Sequence, residues 1–467
     1  MILPFFSNES PLHLIIIPAR AFYKNCYNIL TIFIRLLVLY AAKWYNNINN
    51  RIRGERGVFM KKTMLKKYAR LIAGTGANIK KGQPVRITAE ADQYEFITLL
   101  VAECYKAGAS RVEVDWSYQP IVKLNYRYRT LKSLSTVPAW QEERLKQMVE
   151  EIPCRIWIDS EDPDGLNGVN REKMQKSQIA RYKVTKKYSD ALENKDQWCI
   201  AAAPSYAWAE KVFPGVPKNK AYEMLWQAIL KTVYVTEDSD PEENWAKHDA
   251  DIKSRTEYLN SMKFDYLEYK SANGTDFKAW LIPEGHFSGG GEYTLGGNYF
   301  SPNLPSEEVF TSPKRGFAEG RLVATKPLSY QGQLIENFYI DFKDGKAVSW
   351  EAEKGKELLD KMLSMDEGAA YLGELALIAD DSPISNMNIL FYNTLFDENA
   401  SCHVALGRGF CDCIDDFQNK SLEECRELGI NDSMIHVDFM IGSPDMSIKG
   451  YKNGKAYPIF ENGNWAF

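Results

Sequence analysis

The sequence predicts an α/β N-terminal domain on a mostly parallel open sheet, residues 60–253, followed by a strand-rich α+β C-terminal domain, residues 254–467. Three observations predict it. At 467 residues the chain is too long for one ordinary hydrophobic core. Its first half alternates short apolar runs with helical periodicity, the pattern of parallel strands joined by helical crossovers. Its second half alternates apolar and polar residues around Asn-Gly and Asp-Gly pairs, the pattern of antiparallel hairpins.

Residues 1–59 stand apart, rich in Ile, Leu, Asn and Tyr. The apolar run Ile29–Ala42 contains Arg35 and falls short of the roughly 20 residues of a spanning helix. No small-residue cleavage site follows it, so a signal peptide fits poorly. Arg53–Phe59 can be encoded by a purine-rich ribosome-binding sequence, and Met60-Lys61-Lys62 after it reads as an ordinary bacterial start. Residues 1–59 are therefore expected to be translated upstream DNA, with the working chain beginning at Met60. The rival is an amphipathic extension lying on a membrane surface.

From Met60 onward the elements follow in order. Met64, Leu65, Tyr68, Leu71 and Ile72 mark a helix over Lys61–Ala73, with Gly74 as its stop. PVRITA (Pro84–Ala89) is a strand, Tyr94–Ala107 a helix, and RVEVDW (Arg111–Trp116) a second strand. A helix over Trp140–Glu151 leads to the strand RIWIDS, a basic helix over Arg171–Lys187 leads to WCIAAAP, and a helix spans Lys220–Val235. Asp115 and Asp159 lie near strand C-termini, where α/β sites form, but read as ordinary turn or cap carboxylates. After Ser254 the runs FDYLEYKSANGTDFKAWLI and NFYIDFKDGKAVSWEAE are hairpins, and Gly285–Asn298 is a glycine-rich flexible loop with no place for a helix.

Composition narrows the function. A formal net charge of −5 leaves no basic excess to replace the cations of a nucleic-acid backbone, so no such partner is expected. The 8 cysteines are irregularly spread, the pattern of free thiols in a reducing cytoplasm rather than of a disulfide framework.

The chemistry-bearing residues gather in the second half. FDENASCHVALG (Phe396–Gly407) sets Asp397, Glu398, Cys402 and His403 between apolar runs. MIHVDFMIG carries His436 and Asp438 two apart in an apolar strand, where both side chains point to one face. Glu374 interrupts the apolar run YLGELALI and must be paired, protonated or bound to a cation. Glu307 and Glu308 lie in PNLPSEEVFTSP between stiffening prolines. Several carboxylates with two imidazoles are too rich in oxygen for a structural zinc site and suit a two-metal hydrolytic centre. No HExxH helix is present, so the common single-zinc protease template does not apply. The rival set is thiolate: Cys402, Cys411, Cys413 and Cys425 lie close together with His403, but without the paired CxxC of a zinc knuckle.

PNLPSEEVFTSP, TKPLSY, AYLGELAL, DSPIS, ILFYNTLFDENASCHVALG and NDSMIHVDFMIGS resemble the signature blocks of the metalloaminopeptidases of the aminopeptidase T, aminopeptidase S and PepS family. The resemblance runs from about Met60 to Phe467 and is densest after Ser301. It implies a cytoplasmic exopeptidase acting on peptides with a free N-terminus, two divalent metal ions (Zn, Co or Mg), and a homodimer, with no membrane partner if the chain starts at Met60. By motif position the family's metal ligands fall on Glu308, Glu374, Glu398, His403, His436 and Asp438, and the choice of Glu308 over Glu307 rests on the resemblance alone. Glu374 is expected to bridge the metals, with Glu308 or Glu398 relaying a proton. Where relatives carry a Tyr after ALG, this chain has ALGRGF with Phe410, which cannot supply a hydroxyl to a tetrahedral intermediate. Two alternatives follow: a catalytically impaired metal- or peptide-binding homologue, and a zinc-structured interaction protein using the cysteines.

Overall fold

PVRITA, RVEVDW, RIWIDS and WCIAAAP form β1 (Pro84–Glu90), β2 (Arg111–Ser117), β3 (Cys154–Asp159) and β4 (Trp198–Ala202) of the computed structural model, which describes residues 61–330 and 333–467. The four strands pair in the order β2-β1-β3-β4, parallel throughout. That arrangement follows from the helices between them, which carry each strand back to the same starting edge. The Met60 start, and all that was expected of residues 1–59, lies outside the described residues. The first helix runs Lys62–Leu71 and passes the expected glycine stop as a π-helical turn over Ile72–Gly76. Asp115 is paired with Arg86 and Arg144, as a surface carboxylate should be.

The periodicity does not mark the helix Pro241–Met262, because only Trp245, Ile252, Thr256 and Leu259 of its later turns are buried, a stripe too thin to stand out among its charges. Its start signals are nonetheless in the sequence: Asp240 caps Glu242 N, Pro241 opens the first turn, and Glu242 and Glu243 follow. This helix belongs to both halves. Trp245 joins the core under the parallel sheet, whereas Ile252 and Leu259 join the core of the strand-rich half. The expected boundary between residues 253 and 254 falls inside it.

The second half begins with the expected Asn-Gly hairpin, β5 (Tyr266–Lys270) and β6 (Asp276–Leu281). The glycine-rich stretch holds the short strands β7 (Ser288–Gly289) and β8 (Glu292–Tyr293), followed by β9 (Tyr299–Phe300). It is fastened down, because Asp249 of the helix Pro241–Met262 accepts from Gly291 N and from the Tyr299 hydroxyl. Next come β10 (Val309–Thr311), β11 (Pro313–Val323), β12 (Leu328–Tyr330), and the Asp344-Gly345 hairpin of β13 (Gln333–Lys343) and β14 (Lys346–Lys354). The apolar runs with charges in them form β15 (Leu372–Leu377), β16 (His403–Gly407) and β17 (His436–Met440). Most of the remaining strands build a large antiparallel sheet around β11, β6 and β5, while β17-β16-β15-β10-β7 form a separate five-stranded antiparallel sheet among the described residues. Val309, Leu375, Leu377, Val404, Leu406, Val437 and Phe439 bury one face of this smaller sheet in the second core.

Candidate metal centre

The other face of the smaller sheet carries the ligand-type residues. Glu374 of β15 pairs with Ala405 of β16, which pairs with Asp438 of β17, so the two carboxylates project from the same side in one row. The next rows hold Phe310, Ala376 and His403 on one side and Gly407 and His436 on the other. Glu308 precedes Phe310 by two residues and extends the same face. Between the long ligands the same-face positions are Ala376, Ala405 and Gly407. These small residues leave the carboxylates and imidazoles room to lean together.

Glu374 reaches this face through a register shift. Leu372 pairs with Leu406 and Glu374 with Ala405, so Gly373 is an extra residue that bulges from β15. The bulge lets Leu372 enter the core while Glu374, two residues on, faces away from it, which strict alternation would forbid. Only glycine fits there, because a Cβ at Gly373 would lie 2.1 Å from the Arg408 carbonyl oxygen. On the opposite edge, β7 approaches β10 so closely that a Cβ at Gly289 would lie 2.5 Å from the Glu308 carbonyl oxygen.

Two groups of donors result. Glu308, Glu374 and His403 offer ligand atoms within 4.8 Å of one another, and so do Glu374, His436 and Asp438. Glu374 belongs to both. His403 Nε2 lies 3.5 Å from Glu308 Oε2, and His436 Nε2 lies 3.1 Å from Glu374 Oε2 and 3.2 Å from Asp438 Oδ1. Each imidazole is oriented from behind: His436 Nδ1 donates to the Arg408 carbonyl at 2.7 Å and His403 Nδ1 to that of Ser401 at 3.3 Å. With Nδ1 donating, Nε2 is the atom each ring turns toward the carboxylates.

Glu398 comes from a different layer. Its 3₁₀ turn, Glu398–Ala400, ends a segment whose Ile384, Phe391, Leu395, Phe396 and Ala400 are buried in the core of the parallel-sheet half. The Trp208 indole donates to the Phe391 carbonyl at 2.5 Å, and Asn393 Nδ2 to Asp159 at 3.1 Å, so the first half holds the residue that approaches the sheet of the second. Asp397 turns back into its own loop and accepts from Phe391 N and Asn393 N. Cys402 faces the second core and exchanges hydrogen bonds with the Ile378 backbone, so it is a packing residue.

Electrostatics marks the cluster as built for positive charge. Burial pushes the Glu308 and Glu398 carboxyls well above the usual range, and the carboxylates around them add to the shift. Burial opposes the charge on His436, but Asp438 and Glu374 overcome it and hold the imidazole well above its ordinary value. Asp438 Oδ1 is buried without a hydrogen-bond partner. Crowded carboxylates and two imidazoles aimed inward fit divalent cations held by oxygen and nitrogen. Among the described residues, no candidate metal group contains a cysteine, which leaves the thiolate alternative without a site. His248 and His286 lie elsewhere; His286 pairs with Asp415 at 3.0 Å.

Two neighbours were not signalled by the sequence. Glu292, among the glycines of the β7–β8 stretch, is pushed up to about 8 by burial and then by Asp412, and both carboxyls act on the cluster's charges. Neither sits in a motif with periodicity, so only folding brings them to this place. Phe410 lies beside the centre as well, its ring 4.9 Å from that of His436 and 5.5 Å from Phe310.

A family model described as thermophilic metalloprotease (M29) matches residues 61–465. Aminopeptidase AmpS of Bacillus subtilis is 40% identical over 405 residues, covering 86% of this chain and 98% of that protein. Aminopeptidase T of Thermus thermophilus is 37% identical over 407 residues, with the same coverage. The solved structure of wild-type AmpT from Thermus thermophilus superposes with a TM-score of 0.81 at 35% identity, covering 87% of this chain and 100% of that one.

Proposed function

The chain belongs to the thermophilic metalloprotease (M29) family, and from that premise we propose that it is a metal-dependent aminopeptidase with a two-metal centre. The observation that carries the reading is that one carboxylate, Glu374, is common to both groups of donors. Glu308, Glu374 and His403 would hold one cation and Glu374, His436 and Asp438 the other; Glu398 lies outside both groups of donors but acts on the charges of Asp438, Glu308 and Glu374, and would be a further ligand. Bound there, divalent ions polarise a scissile carbonyl and lower the pKa of water.

The protein's own groups do the rest. Nδ1 of His436, donating to Arg408, and Nδ1 of His403, donating to Ser401, hold each Nε2 in line. The second core walls off the far face of the sheet. Either carboxyl, Glu398 or Glu308, would serve to relay a proton to the leaving amine. We read the glycine-rich stretch, which carries Glu292, as a lining of the entrance to the centre.

The expected homodimer and cytoplasmic setting belong to the same reading. The helix Gln119–Tyr128 buries none of its residues and exposes Ile121, Leu124 and Tyr128 at helical spacing, a face suited to a partner subunit. All seven described cysteines are free thiols. No helix among the described residues is long and apolar enough to cross a membrane.

The test is hydrolysis of aminoacyl anilides and of their N-acetylated counterparts after chelation, with Zn²⁺, Co²⁺ or Mg²⁺ added back. Metal-dependent cleavage of the free-amine substrates alone, lost in Glu374→Gln, is the expected result. Equal cleavage of the acetylated substrates, or none with any metal, overturns the activity. One observation favours the second reading, an impaired homologue: the ring beside His436 is Phe410, with no hydroxyl. Metal binding without turnover would select it.

A further inference from the structure

The residue before Glu308 is held by side chains from three separate elements. Glu307 N donates to Asn399 Oδ1 at 2.7 Å, in the turn that carries Glu398. The Glu307 carboxylate accepts from the Tyr234 hydroxyl at 2.8 Å, at the end of the helix Lys218–Thr232. The Ser306 carbonyl accepts from His248 Nε2 at 2.7 Å, in the helix Pro241–Met262. His248 and Tyr234 also meet each other, Nδ1 to hydroxyl at 3.3 Å, and Trp245 packs edge-on against both rings. Ser306, Glu307 and Asn399 are buried, Asn399 completely, and Asn399 Nδ2 is spent on the Leu395 carbonyl.

Buried charge explains why this network exists. A carboxylate enclosed as Glu307 is would be costly without donors, and Tyr234 and His248 supply the compensation. The consequence reaches the next residue. Glu308 has no hydrogen bond of its own to a protein donor among the described residues; its one ion pair is with His403, at 3.5 Å. Its aim therefore depends on the backbone of Ser306 and Glu307.

We propose that Tyr234, His248 and Asn399 are positioning residues that clamp the Ser306–Glu307 backbone and so set the Glu308 carboxylate at its distance from His403 and Glu374. The inference rests on the reading of Glu308 as a metal ligand. The clamp ties that ligand to the helix shared by both cores and, through Asn399, to the turn of Glu398. Two ligands from different layers are thus held in one frame.

Co²⁺ titration of the EDTA-stripped full chain, followed by its visible absorption, tests this without relying on turnover. Glu308→Gln identifies which of the bound ions depends on Glu308. Tyr234→Phe is expected to weaken that same ion about 10- to 100-fold, as supporting-residue changes do, and to leave the other within about threefold. In the Glu308→Gln background Tyr234→Phe should add almost nothing, because the carboxylate it positions is gone. A general packing role predicts the reverse: both ions weakened alike, or the full loss repeated in that background. Either result overturns the clamp, as does an unchanged titration. If Tyr234→Phe does not fold, His248→Gln makes the same comparison. Co²⁺ binding that Glu308→Gln leaves unchanged overturns the reading of Glu308 as a ligand itself, which separates the two failures.

Discussion

Asp159 and Phe410 show how single positions translate into measurable behaviour. Burial pushes the Asp159 carboxyl up to about 6 from its ordinary 3.8, with Glu161 adding to the shift and the Asn393 amide opposing it. A raised carboxyl keeps its proton in the folded chain where the unfolded chain has lost it. The folded state then binds more protons, and stability falls as pH climbs from about 4 to about 6. Above that window a penalty of about 1–3 kcal/mol is present in full. Asp159→Asn keeps an oxygen for the Asn393 amide and removes the penalty, so it should raise Tm at about pH 8 and leave it unchanged at about pH 3. A gain of equal size at both pH values would show that the cause is not ionisation. Phe410 is a question of chemistry rather than stability. Phe410→Tyr should raise kcat at least about tenfold with little change in KM if a hydroxyl beside His436 stabilises the developing oxyanion. An unchanged kcat means that the hydroxyl is not missed.

At the scale of the element, β15 decides the site. Its sequence, LGELAL, reads as an apolar strand with one charge in it, and period-two alternation puts Leu372 and Glu374 on one face. The Gly373 bulge separates them. Gly373→Ala must move the Arg408 backbone, at a cost of about 1–3 kcal/mol. It should also weaken Co²⁺ binding at both positions, because Glu374 serves both groups of donors. Calorimetric titration reads the binding and thermal unfolding the cost; a stability loss with both affinities intact would mean that the bulge does not aim Glu374. The bulge was not legible, because a glycine in a strand has several uses and the carbonyl that excludes a side chain here belongs to Arg408, far along the chain. β17 needed no such device, since plain alternation already sends His436 and Asp438 to one side.

At the scale of the whole molecule, the helix Pro241–Met262 and the segment Ile384–Ala400 lock the halves together. The helix lends Trp245 to one core and Ile252 and Leu259 to the other, and the segment anchors Glu398 from the first core. Residues 61–467 should therefore unfold in one calorimetric transition, without a separately melting N-terminal half. Two resolved transitions would show that the halves are stable independently. The sequence by itself determined a great deal: the parallel and antiparallel halves, the hairpin turns, and the ligand-type side chains. These depend on local periodicity, turn chemistry and the cost of burying an unpaired charge, all of which act over a few residues. The preference for Glu308 over Glu307 came instead from resemblance, and the fold supplies its physical counterpart, since Glu307 is occupied by Tyr234 and His248. Only the tertiary structure decided which donors gather on either side of Glu374, that a bulge at Gly373 turns it toward them, and that the segment carrying Glu398 is anchored in the core of the first half. Those facts depend on register across strands and on contacts between residues far apart in sequence, and no local pattern carries that information.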